Sequence, residues 1–279
     1  EDLEIYALRF SLNDWVLQEH KIAGNHIVPG TVYIDTMTRL CRDQYDSAIC
    51  IDTLTFLTPL VIGEESSQVQ LKINREEGYF KVISLNDGRW LTHCEGRFRC
   101  ITKQPQDAPV AELLAQCGEE FHIDLPQNDG ETAVGPRWSC CKTLHACKDG
   151  YLLELELPEA FAGDLQQYIY HPSLADVSVN LAAQFNYNSN LYLPLQYKRL
   201  SVYRTLPRSF YCYYRPLPGE GRETFSFTLQ MFDRDGHVLA EAEEYTTKRV
   251  EHFQSFFANR FFQSLKNGLG TAFDPAEFR

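Results

Sequence analysis

Hydrophobic and polar positions in the first part of the chain predict one helix followed by antiparallel strands. Apolar residues at Leu3, Ile5 and Ala7 are spaced by two, the period of a half-buried strand. The apolar residues of 31–43 do not alternate and instead fit one face of a helix. Alternating, β-branched stretches follow, and the turn at 86–88 (Asn-Asp-Gly) predicts a hairpin.

The second half of the chain repeats this order of elements. The segment 171–185 predicts a helix with a proline near its start, and the strands that follow include a hairpin turn at 235–236. The two Asp-Gly turns lie 148 positions apart, and His20 and His171 lie 151 apart. Two unrelated landmarks with nearly the same offset indicate a duplicated unit of about half the chain.

These patterns predict a duplicated α+β fold in which each of two units wraps an antiparallel sheet around one long helix. Two such units in tandem would be a double hot-dog, although periodicity alone does not name the fold. We expect an N-terminal unit over 1–104 and a C-terminal unit over 137–279 that ends in a helical tail. The segment 105–136 is rich in Pro, Gly, Gln and Asp, and we expect a linker there around one short helical piece, VAELLAQC.

Composition and charge narrow the class of protein. The 279 residues carry a formal charge of −12, which argues against binding to a nucleic-acid backbone. No run approaches the ~18 apolar residues of a membrane span, and the acidic start does not resemble a secretory signal. The nine cysteines are odd in number and form no C-x-x-C pair. We therefore expect a cytoplasmic protein with reduced thiols and no membrane partner.

The first candidate site is the stretch HKIAGNHIVPG, which contains His20, Gly24, Pro29 and Gly30. Pro29 and Gly30 stand at the predicted start of the first helix, where unpaired backbone N–H groups could receive an oxygen that gains negative charge. A histidine beside such a site could remove a proton next to a carbonyl group. On spacing alone, His20 could equally be a packing or capping residue.

The second candidate site is HPSLADVSVN, in which Asp176 and Asn180 are four residues apart and share one face of the second helix. A carboxylate on a mostly apolar helix can become a general acid. The alternative is an exposed helical aspartate. In a duplicated fold the two helices meet, so His20 and Asp176 could face one cleft as a base and an acid.

With these residues in place, the chain resembles a dehydratase domain of a modular type I polyketide synthase, with a trans-acyltransferase type as one possibility. His20 to Pro29 matches the motif H-x-x-x-G-x-x-x-x-P, and 171–180 matches H-P-x-x-x-D-x-x-x-Q/H. LYLPLQYKRLSVY resembles the strand after the second helix, and VGPRW at 134–138 resembles Y-G-P-x-F.

The resemblance implies a double hot-dog fold and a substrate held on the phosphopantetheine arm of an acyl carrier protein, with no bound cofactor or metal. It implies that His20 removes the α proton, that Asp176 protonates the departing β-hydroxyl, and that the Gly30 N–H holds the thioester oxygen. Asn180, Pro29 and Gly24 would complete the site. It also implies neighbouring synthase domains and a possible homodimer as partners.

Two departures from the motifs leave other functions open. Asn180 replaces Gln or His, and Val134 replaces the tyrosine before Gly-Pro. An enoyl-isomerase domain of the same fold, with His20 as the proton shuttle, is the first alternative. An inactive structural or dimerisation module is the second. The sequence cluster Lys198, Arg199, Arg204 and Arg208 is a candidate carrier-protein surface, or ordinary solvated charge.

Overall fold

The computed structural model describes residues 3–63, 68–102, 104–122, 132–185, 191–218 and 223–250. Its helices in these ranges are α1 (Trp15–Gln18), α2 (Gly30–Tyr45), α3 (Val110–Gln116) and α4 (Pro172–Phe185), with two 3₁₀ turns at Pro136–Trp138 and Glu159–Gln166. Its strands are β1 (Leu3–Leu8), β2 (His20–Ile22), β3 (Asn25–His26), β4 (Ala48–Phe56), β5 (Gln68–Asn74), β6 (Tyr79–Asn86), β7 (Arg89–Ile101), β8 (Cys117–His122), β9 (Thr132–Val134), β10 (Cys141–Cys147), β11 (Gly150–Glu156), β12 (Leu191–Val202), β13 (Ser209–Pro216), β14 (Thr224–Phe232) and β15 (Val238–Val250).

Twelve of the strands form one antiparallel sheet that runs through both halves of the chain. Its order is β1-β5-β6-β7-β4-β12-β15-β14-β13-β11-β10-β8. The halves join where β4 pairs with β12, from Thr55 opposite Gln196 to Ile49 opposite Val202. The remaining strands form a small sheet in the order β3-β2-β9.

The two long helices lie against this sheet and contact each other. Helix α2 buries Ile34, Met37 and Cys41, which fall on one face at helical spacing. Helix α4 is buried on most sides over residues 172–181, with Leu174, Val177 and Val179 among its buried residues, as expected for a helix in the centre of a domain. One helix wrapped by antiparallel strands in each half is the double hot-dog that the sequence predicts.

Helix α2 holds the chain segment that leads into α4. The buried carboxylate of Asp35 accepts hydrogen bonds from the backbone N–H groups of Ile169 (2.9 Å) and Tyr170 (2.8 Å). The Thr31 hydroxyl donates to the Pro172 carbonyl (3.1 Å). Burial raises the pKa of Asp35 to about 6, even though the two N–H groups and nearby Arg39 favour its ionised form. These contacts fix the starts of α2 and α4 relative to each other.

The predicted helices at 31–43 and 171–185 and both Asp-Gly turns are confirmed. Asp87 and Gly88 have positive φ angles of 46° and 76°, as a two-residue hairpin turn requires. Strand β1 is also present, but Leu3 and Ile5 face solvent, whereas Tyr6 and Leu8 pack on the core.

The segment 105–136 contains the predicted short helix, α3, and also two strands that its composition did not indicate. Strand β8 pairs with β10 in the large sheet, and β9 pairs with β2 in the small one. Strands β10 and β11 were likewise not predicted. The expected helical tail lies outside the described residues.

The cysteines differ from the sequence expectation at one pair. Cys117 and Cys147 lie opposite each other on β8 and β10 and form a disulfide. The other seven cysteines are free thiols, as predicted. The expectation of nine reduced thiols is therefore wrong for this pair. None of the helices in the described ranges has the length and apolarity that a membrane-crossing helix needs.

Candidate active site

The small sheet carries His20 at the start of β2, directly opposite Val134 of β9. The β2–β3 turn has positive φ angles at Ala23 (47°) and Gly24 (77°). Glycine adopts this left-handed conformation without strain, so Gly24 serves the turn that follows the histidine strand. Val134 belongs to the C-terminal side of the predicted linker, so the histidine strand is completed by a distant part of the chain.

The imidazole of His20 is oriented by one hydrogen bond and one ring contact. Nδ1 lies 2.8 Å from the carbonyl oxygen of Ile27, and because a carbonyl only accepts, Nδ1 carries the hydrogen. The ring stacks on Trp138 with centroids 5.5 Å apart. In the neutral tautomer Nε2 therefore keeps its lone pair, as a proton acceptor needs.

Asp176 lies on α4 and faces His20 across the junction between the two halves. His20 Nε2 and Asp176 Oδ2 are 4.0 Å apart, and their side chains are 12% and 15% exposed. Sequence reasoning predicted that one residue from each half would meet in this way. The structure brings them together at the edge of the core, within reach of solvent.

Both oxygens of the Asp176 carboxylate accept hydrogen bonds. Asn180 Nδ2 donates to Oδ1 (2.8 Å), and Trp138 Nε1 donates to Oδ2 (2.8 Å). Behind them, the Tyr245 hydroxyl donates to Asn180 Oδ1 (2.8 Å). The spacing of Asp176 and Asn180 predicted a shared helix face. Trp138 and Tyr245 were missed, because they lie 38 and 69 positions from the aspartate.

Fully buried tyrosines surround this carboxylate. Burial raises the pKa values of Tyr170, Tyr197 and Tyr245, and the negative charge of Asp176 raises them further. Their hydroxyls therefore stay protonated and available as donors. Tyr197 and Tyr245 also stack on each other, with ring centroids 4.3 Å apart.

Pro29 caps the start of α2 and Gly30 is its first residue. Within the described ranges, no residue accepts a hydrogen bond from the Gly30 N–H, as is usual for the first turn of a helix. The ring of Phe56 packs so closely on Gly30 that an added Cβ would lie 2.5 Å from it. The helix start therefore offers a free donor, while the role of the Gly30 N–H toward an oxyanion stays a prediction.

The turn 135–138 is fastened to the residue before His20. The Gly135 N–H donates to the Glu19 carbonyl (2.9 Å), and the Arg137 N–H donates to a Glu19 carboxylate oxygen (2.9 Å). The Arg137 guanidinium also pairs with Glu19 and with Asp164. Trp138 is thereby positioned together with the histidine strand.

His171, the second histidine landmark, is a packing residue. Its ring is fully buried and stacks on Trp15 with centroids 5.5 Å apart. Its Nε2 lies 3.9 Å from Asp164. Burial lowers the pKa of His171 to about 4, so the ring is neutral near pH 7.

The basic sequence cluster is largely neutralised by acidic neighbours. Lys198 pairs with Glu244, Arg199 with Asp52 and Glu243, and Arg208 with Glu156 and Glu159. Arg204 is exposed. These cations are therefore part of mixed-charge surface networks.

Comparison with known proteins places this geometry in a family. Residues 1–85 match "Polyketide synthase dehydratase domain", and residues 111–255 match "Polyketide synthase dehydratase N-terminal domain". The polyketide synthase PksM of Bacillus subtilis is 22% identical over 289 residues, which cover 92% of this chain and 6% of PksM. The chain thus spans only a small part of the length of that relative.

Solved structures share the fold. A trans-acyltransferase polyketide synthase dehydratase domain from Brevibacillus brevis superposes with a TM-score of 0.79 at 20% identity, covering 89% of this chain and 94% of that one. Two inactive variants of the CurK dehydratase, one His-to-Phe and one Asp-to-Asn, each give a TM-score of 0.77 at 19% identity. They cover 90% of this chain and 94% and 95% of theirs, respectively. The chain therefore belongs to the polyketide synthase dehydratase domain family and has its double hot-dog fold.

Proposed function

We propose that this domain removes water from a 3-hydroxyacyl thioester carried on the phosphopantetheine arm of an acyl carrier protein, giving an α,β-unsaturated thioester. The observation that carries the proposal is the 4.0 Å approach of His20 Nε2 and Asp176 Oδ2 from the two halves of the fold. A base and an acid at this separation can act on neighbouring carbons of one substrate.

His20 Nε2 takes the proton from the α carbon, and the electron pair of that C–H bond moves toward the thioester carbonyl. The Gly30 N–H at the start of α2 holds the oxygen that gains negative charge. The electrons then form the α,β double bond as the bond between the β carbon and its oxygen breaks. Protonated Asp176 gives its proton to the departing hydroxyl, which leaves as water.

The inactive CurK variants support these roles, because they alter one histidine and one aspartate in a dehydratase of the same fold. The free Nε2 of His20 and the polar surroundings of Asp176 are consistent with a proton acceptor and a positioned carboxyl group. Dehydration consumes no reductant or oxidant, so the reaction balances with substrate, enoyl product and water alone.

The alternative function is an enoyl isomerase that shifts the double bond from the α,β to the β,γ position. The observation that favours it is Val134, which lies opposite His20 in the small sheet where the resembling motif has a tyrosine. Without that hydroxyl, His20 alone could move a proton between the γ and α carbons. The two functions share the histidine and differ in their need for Asp176.

We propose that the carrier protein is delivered by covalent linkage within a multidomain synthase. The net charge of −12 and the paired cations of the 198–208 cluster provide little electrostatic attraction for an acidic partner. Tethering in one chain raises the effective concentration and removes that need.

The deciding experiment is proton NMR of the purified domain with an α,β-enoyl pantetheine thioester in heavy water. A dehydratase running in reverse adds water and gives a 3-hydroxy thioester with deuterium at the α carbon. An isomerase gives deuterium at the γ or α carbon without a hydroxyl. Exchange without hydration would overturn the proposal in favour of the isomerase.

Two variants assign the residues. His20→Ala should abolish either reaction, whereas His26→Ala, which alters the neighbouring histidine of the same hairpin, serves as the matched control. Asp176→Asn should block hydration but largely spare isomerisation, because only hydration needs the carboxyl group, which takes a proton from the water that adds to the β carbon. Retained turnover in His20→Ala, or equal losses of both reactions in Asp176→Asn, would contradict these roles.

A further inference from the structure

We propose that Trp138 is a positioning residue that holds both members of the proposed catalytic pair. Its indole N–H donates to Asp176 Oδ2 at 2.8 Å, and its ring stacks on the His20 imidazole at 5.5 Å with an interplanar angle of 27°. Trp138 is only 2% exposed, so water has little access to either contact and does not weaken it by competition. This inference deepens the proposed function and rests on it.

The oxygen that Trp138 holds is the one that faces the base. Asp176 Oδ2 receives the indole N–H and also lies 4.0 Å from His20 Nε2. Oδ1, on the other side of the carboxyl group, receives the amide of Asn180. Donors on both oxygens restrict rotation of the carboxyl group and keep Oδ2 directed toward the histidine.

The support behind Oδ1 is itself fixed. The Tyr245 hydroxyl donates to Asn180 Oδ1, which requires that the Nδ2 side of the amide point at Asp176. A flipped amide would place its oxygen against the carboxylate and leave the buried tyrosine without this acceptor. The short side chain of Asn180 therefore reaches the aspartate directly and in one orientation.

Trp138 is locked by the turn that carries it. Its backbone N–H donates to the Gly135 carbonyl (3.0 Å), and its ring makes an edge-on contact with Trp15, with centroids 5.9 Å apart. Gly135 lies so close to Glu19 that an added Cβ would come within 2.1 Å of that side chain. Because Glu19 precedes His20, these contacts fix the turn against the histidine strand.

The indole N–H is what this chain adds at position 138. The motif that VGPRW resembles has phenylalanine there, which supplies a ring but no donor. In the same five residues, Val134 lacks the hydroxyl of the motif's tyrosine. The segment 134–138 thus lacks the tyrosine hydroxyl at Val134 but supplies another donor, the indole N–H of Trp138, to the Asp176 carboxyl group.

The test uses Trp138→Phe, which keeps the stacking ring and removes only the donor. We expect kcat for hydration of the enoyl thioester to fall about 10- to 100-fold, the range for one lost hydrogen bond to a charged group. KM should change by less than about twofold, because the contact is made to the protein and not to the substrate. Trp90→Phe, which alters an exposed tryptophan on β7, is the matched control and should leave kcat unchanged.

A spectroscopic measurement tests the contacts without relying on activity or on the folding of Trp138→Phe. The chain has three tryptophans, so ¹⁵N labelling gives three indole N–H signals, and that of Trp138 is the one missing in Trp138→Phe. Asp176→Asn should shift this signal because it changes the acceptor of the indole N–H, and His20→Ala should shift it because it removes the stacked ring. An indole signal that stays at the same position in both variants, or an unchanged kcat in a folded Trp138→Phe, overturns the proposal. If the unaltered domain neither hydrates nor isomerises, the proposed function fails, while the NMR responses still decide where Trp138 binds.

Discussion

Replacement of Asp35 by asparagine should change how the stability of the domain depends on pH. Asp35 is 3% exposed and accepts two backbone N–H groups that lead into α4. Its pKa is raised from 3.8 to about 6 because burial penalises the charge. Between these two values the folded protein binds more protons at this site than the unfolded chain does. The contribution of Asp35 to the free energy of unfolding is therefore fully present below about pH 3.8 and is lost as the pH rises through about 6.

The size of the effect follows from the pKa change. A rise of about 2 in pKa corresponds to about 3 kcal/mol of unfolding free energy. In Asp35→Asn the amide oxygen still accepts the two N–H groups, but the titration is gone. Replacing a protonated carboxyl group by an amide also changes the free energy of unfolding, but by an amount that does not depend on pH. The free energy of unfolding of the variant minus that of the unaltered protein should therefore rise by about 2.5 kcal/mol between pH 4 and pH 8, because the first part of the change lies below pH 4.

Urea unfolding of both proteins at several pH values in this interval measures that difference directly. Asp43→Asn, which removes an exposed carboxylate from the same helix, is the matched control and should show a much smaller change. Asp35→Ala should be destabilised at every pH, because two buried N–H groups lose their acceptor. A difference between Asp35→Asn and the unaltered protein that stays flat with pH, or falls as the pH rises, would refute the argument.

Two further predictions concern packing and cross-linking. Gly30→Ala should destabilise the domain by about 1–3 kcal/mol, because the new methyl group meets the Phe56 ring at 2.5 Å, and Phe56→Leu should recover part of that loss in urea unfolding. If the changes in unfolding free energy of the two single variants simply add in the double variant, the Phe56 ring is not what destabilises Gly30→Ala. Thiol titration of the non-reduced, denatured chain should find seven reactive cysteines, and reduction should release two more and lower stability by about 3–4 kcal/mol for the 30-residue loop. Nine reactive thiols before reduction would contradict the Cys117–Cys147 pairing.

The long helices and the tight turns could be predicted from the sequence because their signals are local. The one-sided apolar pattern after Gly30 and the Asp-Gly turns at 87–88 and 235–236 each lie within a short window. Helix α4 carries Asp176 and Asn180 four residues apart, and that spacing alone puts them on one face.

The rest of the site depends on contacts between distant residues. Strand β9 has three residues, too few for a periodic pattern, and it forms only because β2 offers it an edge. Nothing in the spacing of Trp138 or Tyr245 connects them with Asp176. The disulfide was missed for a similar reason, because Cys117 lies in a segment whose composition is typical of a linker.

Strand β1 and the basic cluster show how alternation and charge can mislead. Apolar residues at Leu3 and Ile5 have the correct period, yet the strand turns them outward and buries Tyr6 and Leu8 instead. Lys198 and Arg199 are adjacent in sequence, but each finds its own acidic partner. The alternation of apolar residues identifies a strand, but the elements packed against the strand decide which of its faces is buried.

The pairing of β9 with β2 has a consequence for the order in which a ribosome can complete this domain. When the first ninety residues have emerged, His20 and its hairpin exist, but the third strand and the indole beside the imidazole are still unmade. Asp176 arrives later, and the tyrosine that orients Asn180 comes last, on β15. A nascent chain that stalls between its halves therefore carries His20 without Asp176, and the hydrogen bond that orients Asn180 forms only after β15 has been translated and paired.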